Sequence, residues 1–250
     1  CDYDERIMTS HSPSASSSTA TPGVCIAATA SGSGKTTIAT GLIAALASRM
    51  KVAPFKVGPD YIDPGYHSIA SGCVGRNLDS VLCGNDLIGP LYCHGSQHAD
   101  IAVVEGVMGL FDGRISDGAG STADIAATLG IPILLIVDAR GMSQSVGAVV
   151  RGFATARSDV RIAGVILNKV GSDRHAAVCR EAVEAEGIPV VGSIPRQHDI
   201  VVPSRHLGLV TAIEHGEAAL KAIQSMEKLI EQTCDVDRIS ALADCSYTGP

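Results

Sequence analysis

The stretch Ala28-Thr29-Ala30-Ser31-Gly32-Ser33-Gly34-Lys35-Thr36-Thr37 is the first place where residue types and spacing could do chemistry. An apolar run, Val24–Ala28, leads into it and a helical pattern follows. In such a strand–loop–helix, backbone N–H groups of the loop wrap a phosphate and the helix N-terminus adds positive potential. Ser31, Gly32, Ser33, Gly34 and Thr37 would form the cradle, Lys35 would reach the β- and γ-phosphates of ATP, and the Thr36 hydroxyl would ligate Mg2+. Thr29 stands where the first Gly of the usual pattern belongs, so the strand–loop–helix context carries the reading.

Two acidic positions complete the candidate chemistry. Lys56-Val57-Gly58-Pro59-Asp60-Tyr61-Ile62-Asp63-Pro64-Gly65-Tyr66-His67 follows an apolar run. Its Pro/Gly framing predicts a loop carrying Asp60 and Asp63 at a strand's C-terminal end, where open α/β sheets bind ligands. Asp, Pro and Gly are also turn formers, so a plain surface turn stays open at this point. A later run closes on Glu105, followed by Gly106-Val107-Met108-Gly109-Leu110-Phe111-Asp112-Gly113. An acid ending a strand beside a phosphate loop is the usual second ligand on the metal side.

The elements that must position these groups are legible as short apolar runs separated by helical patterns. The runs are Val24–Ala28, Val52–Val57, Ile101–Glu105, Ile133–Asp138, Ile162–Asn168 and Val190–Ile194. Most are continuously apolar, as in strands covered on both faces. Helices are expected over Thr37–Met50, Thr122–Leu129, Gln144–Ala156 and Arg174–Glu186. Gly130-Ile131-Pro132 and Gly187-Ile188-Pro189 read as helix stops feeding the next strand. This alternation predicts an α/β fold, a parallel-sheet P-loop NTPase with helices on both faces. The expected organisation is a Ser/Thr/Pro-rich tail over 1–22, one P-loop domain over 23–232, and a linker or truncated segment over 233–250.

Composition excludes several functions. The 250 residues carry a net charge of −7, are 46% hydrophobic and only 3% aromatic, and contain no Trp. That supports a sizeable core, and neither a basic run nor a stacking platform for nucleic acid is present. No apolar run reaches the roughly 18 residues that span a bilayer, so no membrane partner is expected. The eight Cys include no Cys-x-x-Cys pair, which argues against a zinc site and for a reducing cytoplasm.

The Asp60–His67 segment, Glu105–Gly113, Ser193-Ile194-Pro195-Arg196 and Arg205-His206-Leu207-Gly208-Leu209 together resemble the cobyrinic acid a,c-diamide synthases. Those enzymes belong to the wider dethiobiotin synthetase-like superfamily. The resemblance spans roughly residues 23–215. It implies ATP-dependent amidation of the a and c acetates of cobyrinic or hydrogenobyrinic acid in cobalamin biosynthesis, with acyl phosphates as intermediates. It further implies that Lys35, Asp60, Asp63 and Glu105 are catalytic, and that Thr36, Asp60 and Glu105 hold Mg2+. Lys56, Tyr61, Ile62 and Arg76 would meet the tetrapyrrole, while Asn168, Pro195 and Arg196 would border the adenine. Arg76, Arg114, Arg140 and Arg196, read as lying at or after strand C-termini, are the group expected to attract the substrate's carboxylates.

Family members usually carry a class I glutamine amidotransferase domain as their ammonia source. Ser71-Gly72-Cys73-Val74-Gly75 and His215-Gly216-Glu217 mimic its motifs loosely, but no apolar strand leads into Cys73, so the ammonia must come from outside this domain or be free. A homodimer is also implied. The same chemistry on nickel-sirohydrochlorin or another acid is the alternative, as is a partition-type ATPase switch. Ala30 argues against that switch, because it occupies the place of the second lysine found in such switches.

Overall fold

A computed structural model describes residues 20–196 and 212–249. Its frame is a seven-stranded, wholly parallel sheet in the order β3-β2-β4-β1-β5-β6-β7. The strands are β1 (Gly23–Ala28), β2 (Val52–Val57), β3 (Arg76–Leu78), β4 (Ile101–Glu105), β5 (Ile133–Asp138), β6 (Ile162–Val170) and β7 (Val190–Pro195). Every residue of β1, β2 and β4 is buried, as continuous apolar runs require when both faces are covered.

The alternation of side chains along β1 divides the core. Val24, Ile26 and Ala28 face a layer made by α1 (Lys35–Ala47), α8 (Ala212–Thr233) and α9 (Val236–Ala241). Cys25 and Ala27 face the opposite layer, built from α4 (Ile88–Ser96), α5 (Thr122–Leu129), α6 (Ser145–Thr155) and α7 (Asp173–Glu184). The α1–α8 approach is close enough that a Cβ on Gly41 would lie 2.5 Å from the Met226 carbonyl oxygen.

Three expectations from the sequence are corrected. The Asp60–His67 segment is not all loop: α2 (Asp63–Ser71) starts at Asp63, with Pro64 in its first turn and Gly72 closing it in the left-handed region. Pro at a helix's first positions removes an N–H that has no helical partner anyway. The strand β3 and the short helix α3 (Ser80–Cys83) follow; Arg76 therefore opens a strand and does not trail one. Its stem packs at α4, where a Cβ on Gly95 would lie 2.8 Å from Arg76 Cδ.

Both ends of the folded unit also reach further than 23–232. Tyr92 Oη donates to the Thr21 carbonyl at 2.7 Å, and the Ala102 N–H donates to the Pro22 carbonyl at 2.9 Å. After α8 the chain does not decay into a linker. Val236 and Ile239 of α9 are buried, and Gly23 and Asp244 exchange backbone hydrogen bonds at 3.1 Å. Each of these contacts is distant in sequence, so no local periodicity announces it. Arg205–Leu209 lie outside the described residues. Among the described residues no helix is long and apolar enough to cross a membrane.

Candidate active site

The site forms where β1, β2 and β4 end and α1 and α2 begin. Gly32 and Gly34 take positive φ, +75° and +93°, to turn the loop into α1. Gly34 is required twice over: a Cβ there would also lie 2.6 Å from Asn168 Nδ2. The Ser33 hydroxyl donates to the Ala30 carbonyl at 2.8 Å, and Asn168 Nδ2 donates to the Ser33 carbonyl at 2.8 Å. Asn168 Oδ1 accepts from the Lys169 N–H at 2.8 Å. Both ends of that amide are thus engaged, and Asn168 ties β6 to the phosphate loop. Pro195 and Arg196 are exposed at the same end of β7, and the Arg196 N–H donates to the Val170 carbonyl at 2.8 Å.

Glu105 is the centre of a buried polar cluster and is 0% exposed. Its Oε1 accepts from the Thr36 hydroxyl at 2.7 Å and lies 2.9 Å from Lys56 Nζ. Lys56 Nζ also pairs with Asp63 Oδ2 at 2.8 Å and donates to the Gly106 carbonyl at 3.3 Å. Asp63 Oδ2 is 3.2 Å from the Thr36 hydroxyl. That hydroxyl has one proton, and the shorter contact marks Glu105 as its acceptor.

The electrostatics follow from burial and neighbours. Burial alone would push the Glu105 carboxyl up, but Lys56, His67 and Thr36 outweigh it and hold it down to about 2. Burial acts against the Lys56 charge, and Glu105 and Asp63 overcome it, raising Lys56 to about 12. For Asp63, burial and the Glu105 charge prevail over Lys56 and shift it upward. Lys35 is shifted downward, first by burial and then by Lys56. Its ammonium donates to the carbonyl of Met108, which itself sits at φ +46°.

The residues expected from sequence divide into three groups. Lys35, Thr36, Lys56, Asp63 and Glu105 converge. Asp60 stands apart from them: its Oδ1 accepts from the Ile62 and Asp63 N–H groups at 2.8 and 2.9 Å, so it caps the start of α2. Tyr61 is 84% exposed, whereas Ile62 packs against the cluster of Ala44, Tyr66, Ala219 and Ile223. The arginines are the third group. Arg114 pairs with Asp117 and Arg140 with Asp138, both guanidinium groups about half exposed. Cys73 sits in the connection between α2 and β3, where no strand leads into it.

Sequence reasoning missed His67. It is 0% exposed, and its Nε2 lies 2.9 Å from Glu105 Oε2. Asp63 and His67 are four residues apart, the spacing that puts two side chains on one helix face, but that signal exists only once α2 is recognised.

Thr36, Asp63 and Glu105 are hard oxygen donors in contact with one another, and the two carboxylates already hold the Lys56 ammonium, which marks a place that favours a cation. No cluster of three or more His, Cys, Asp or Glu suited to a metal occurs among the described residues. Mg2+ fits this arrangement, because it is bound through a few side-chain oxygens and the nucleotide's phosphates and not by an all-protein cage.

Residues 24–210 match the model of the CobQ/CobB/MinD/ParA nucleotide binding domain. The chain belongs to that family. Its curated relatives agree with the motif resemblance. It is 56% identical over 233 residues to a hydrogenobyrinate a,c-diamide synthase of Mycobacterium bovis, covering 91% of this chain and 51% of the relative. It is 48% identical over 225 residues to a cobyrinate a,c-diamide synthase of Dehalococcoides mccartyi, covering 89% of this chain and 48% of the relative. The chain thus spans about half the length of the curated relatives it matches. The chloroplast FtsY structure of Physcomitrella patens shares the fold at 14% identity and a TM-score of 0.50, over 72% of this chain and 60% of that one.

Proposed function

We propose that this chain is the ATP-using part of a tetrapyrrole a,c-diamide synthase acting on hydrogenobyrinic or cobyrinic acid. The observation that carries the reading is the Thr36–Glu105–Lys56–Asp63 cluster beside the phosphate loop, with Glu105 and Lys56 buried at its heart, in a chain 56% identical to a hydrogenobyrinate a,c-diamide synthase.

A carboxylate resists attack because its negative charge repels nucleophiles. Transfer of the γ-phosphoryl group to an acetate oxygen, with ADP leaving, turns it into an acyl phosphate. Ammonia then attacks the acyl carbon, phosphate departs with the original carboxylate oxygen, and the spare proton goes to solvent. Mg2+ would supply charge neutralisation between the phosphates when bound. The chain's own work is positioning and screening.

In this reading Lys35 leaves the Met108 carbonyl to meet the phosphates, and Thr36 with Glu105 forms the metal side. Asp63 and Lys56 sit between the metal side and the incoming acetate. Lys56 offsets the repulsion between two anionic reactants, which the chain's net charge of −7 would otherwise aggravate. Asp60 holds α2 in place, and the exposed Tyr61 ring offers a face to the macrocycle. Nitrogen would come from glutamine through a class I amidotransferase domain, or from free ammonia in the assay, and the reaction is placed in the cytoplasm.

The test is to incubate the chain with ATP, Mg2+, an ammonium salt and each acid in turn, and to follow the products by mass spectrometry. ATP-dependent amidation of hydrogenobyrinic or cobyrinic acid is expected. Amidation of nickel-sirohydrochlorin alone would move the substrate, and inertness toward all three acids would overturn the reading.

A further inference from the structure

We propose that His67 is a positioning residue that fixes the orientation of the Glu105 carboxylate on the metal side of the phosphate loop. This rests on the reading of Glu105 as the metal-side carboxylate. The argument begins with the two oxygens of Glu105. Oε1 is shared between the Thr36 hydroxyl and Lys56 Nζ. Oε2 has no geometric hydrogen bond among the described residues, and His67 Nε2 lies 2.9 Å from it. That separation is an ion-pair distance, although the ring N–H does not line up for a good hydrogen bond.

An ionised carboxylate oxygen buried with no donor beside it costs more than one that faces an N–H, by about 1–3 kcal/mol. With the imidazole edge 2.9 Å from Oε2 and the Thr36 hydroxyl 2.7 Å from Oε1, the carboxylate is held between two polar neighbours, and a small turn of the ring would bring its N–H onto Oε2 while Oε1 stays presented to Thr36. Imidazole is suited to this place because it is polar at one edge and flat and compact enough to be buried completely.

The sequence builds the contact through α2. Asp60 caps the helix start, Asp63 follows in its first turn, and His67 comes one turn later on the same face. One helix thus supplies both neighbours that frame Glu105: Asp63 across Lys56 on the Oε1 side, and His67 on the Oε2 side. A bland core histidine would be expected to find its partner in a backbone carbonyl. This one approaches the buried carboxylate of the site, and its Nδ1 has no hydrogen-bond partner among the described residues.

The experiment compares His67→Leu, His67→Gln and His67→Asn with wild type. Binding of a non-hydrolysable ATP analogue is measured by calorimetry, once with Mg2+ and once with a chelator. Residues that orient a metal ligand typically change metal affinity by roughly 10–100-fold when replaced. His67→Leu is expected to weaken Mg2+-dependent binding by about tenfold or more, with binding in chelator unchanged. His67→Gln, whose amide nitrogen reaches close to the Nε2 position, should restore most of the loss, and His67→Asn, whose amide falls short, should not. With turnover as the readout, the KM for Mg2+ should rise more than kcat falls.

Equal Mg2+ dependence in His67→Leu and wild type would overturn the proposal. So would an equal loss of binding with and without Mg2+, which would mark a role in folding only. If His67→Leu fails to fold, the Gln and Asn pair decides: equal behaviour of the two overturns it. A wild type that binds the analogue with Mg2+ yet amidates no tetrapyrrole acid would reject the proposed function and leave the His67 assignment standing.

Discussion

Replacing Lys56 by Met tests the electrostatic core of the site. The Lys56 side chain is 6% exposed, and it faces Asp63 and Glu105 at 2.8 and 2.9 Å. Met comes close to its length but removes the charge, so the buried Glu105 and the partly buried Asp63 carboxylates are left facing each other. Removing one member of a buried ion pair costs about 3–5 kcal/mol, because the remaining charge is uncompensated. That is a large share of the roughly 5–15 kcal/mol that stabilises a typical domain. Urea unfolding near neutral pH reads the difference directly.

The loss has a sign with pH. In wild type Glu105 is held at about 2 from an ordinary 4.5, so its contribution is complete above 4.5 and fades as pH falls through about 2. In Lys56→Met the two acids are raised, so they favour the folded state below their ordinary values and lose that contribution as pH rises. The stability gap between the two proteins should therefore shrink as pH falls from neutral toward 4.5. Lys56 itself is raised from 10.5 to about 12, so its contribution is complete below 10.5 and wild type loses it as pH climbs through 12. A gap under about 1 kcal/mol at neutral pH, or one that stays constant with pH, would refute the reasoning.

Three further outcomes are expected. Gly34→Ala forces an L residue to φ +93° and a Cβ to 2.6 Å from Asn168 Nδ2, which should cost about 1–3 kcal/mol and weaken nucleotide binding; unaltered affinity and stability would contradict this. Gly41→Ala drives a methyl toward the Met226 carbonyl, so thermal unfolding should show a loss of about 1–3 kcal/mol while nucleotide affinity is kept. Glu105→Gln removes the negative charge that Lys56 and Thr36 converge on, and should abolish amidation while circular dichroism still shows a folded chain.

The frame of the fold was legible because every strand but β3 carries its own apolar signal, and α1, α5, α6 and α7 carry a helical one. Val52–Val57, Ile101–Glu105, Ile133–Asp138 and Thr122–Leu129 have the bounds that the apolar pattern suggests. The phosphate loop was legible for the same reason: its glycines, Lys35 and Thr36 are contiguous, and strand and helix flank them. What escaped depends on distance. Asp63-Pro64-Gly65 reads as a turn until Pro64 is seen as a helix opener, and with α2 unseen His67 had no face to share with Asp63. Arg76 was misplaced because β3 has three residues, too few for a periodic pattern. The return of the chain from α9 to Gly23 rests on backbone pairing between residues more than two hundred apart, which no local window contains. Asp60 shows what motif reasoning leaves out: its type and spacing suit a metal, and the structure adds that its Oδ1 accepts the N–H groups at the start of α2.

The most direct test of the central claim follows the oxygen that the acyl phosphate must move. Hydrogenobyrinic acid labelled with oxygen-18 in its acetate carboxylates is turned over with ATP, Mg2+ and ammonia, and the released phosphate is analysed by mass spectrometry. The account predicts one labelled oxygen in phosphate for each amide formed. Amide without label in phosphate, or phosphate released with no amide at all, would contradict it.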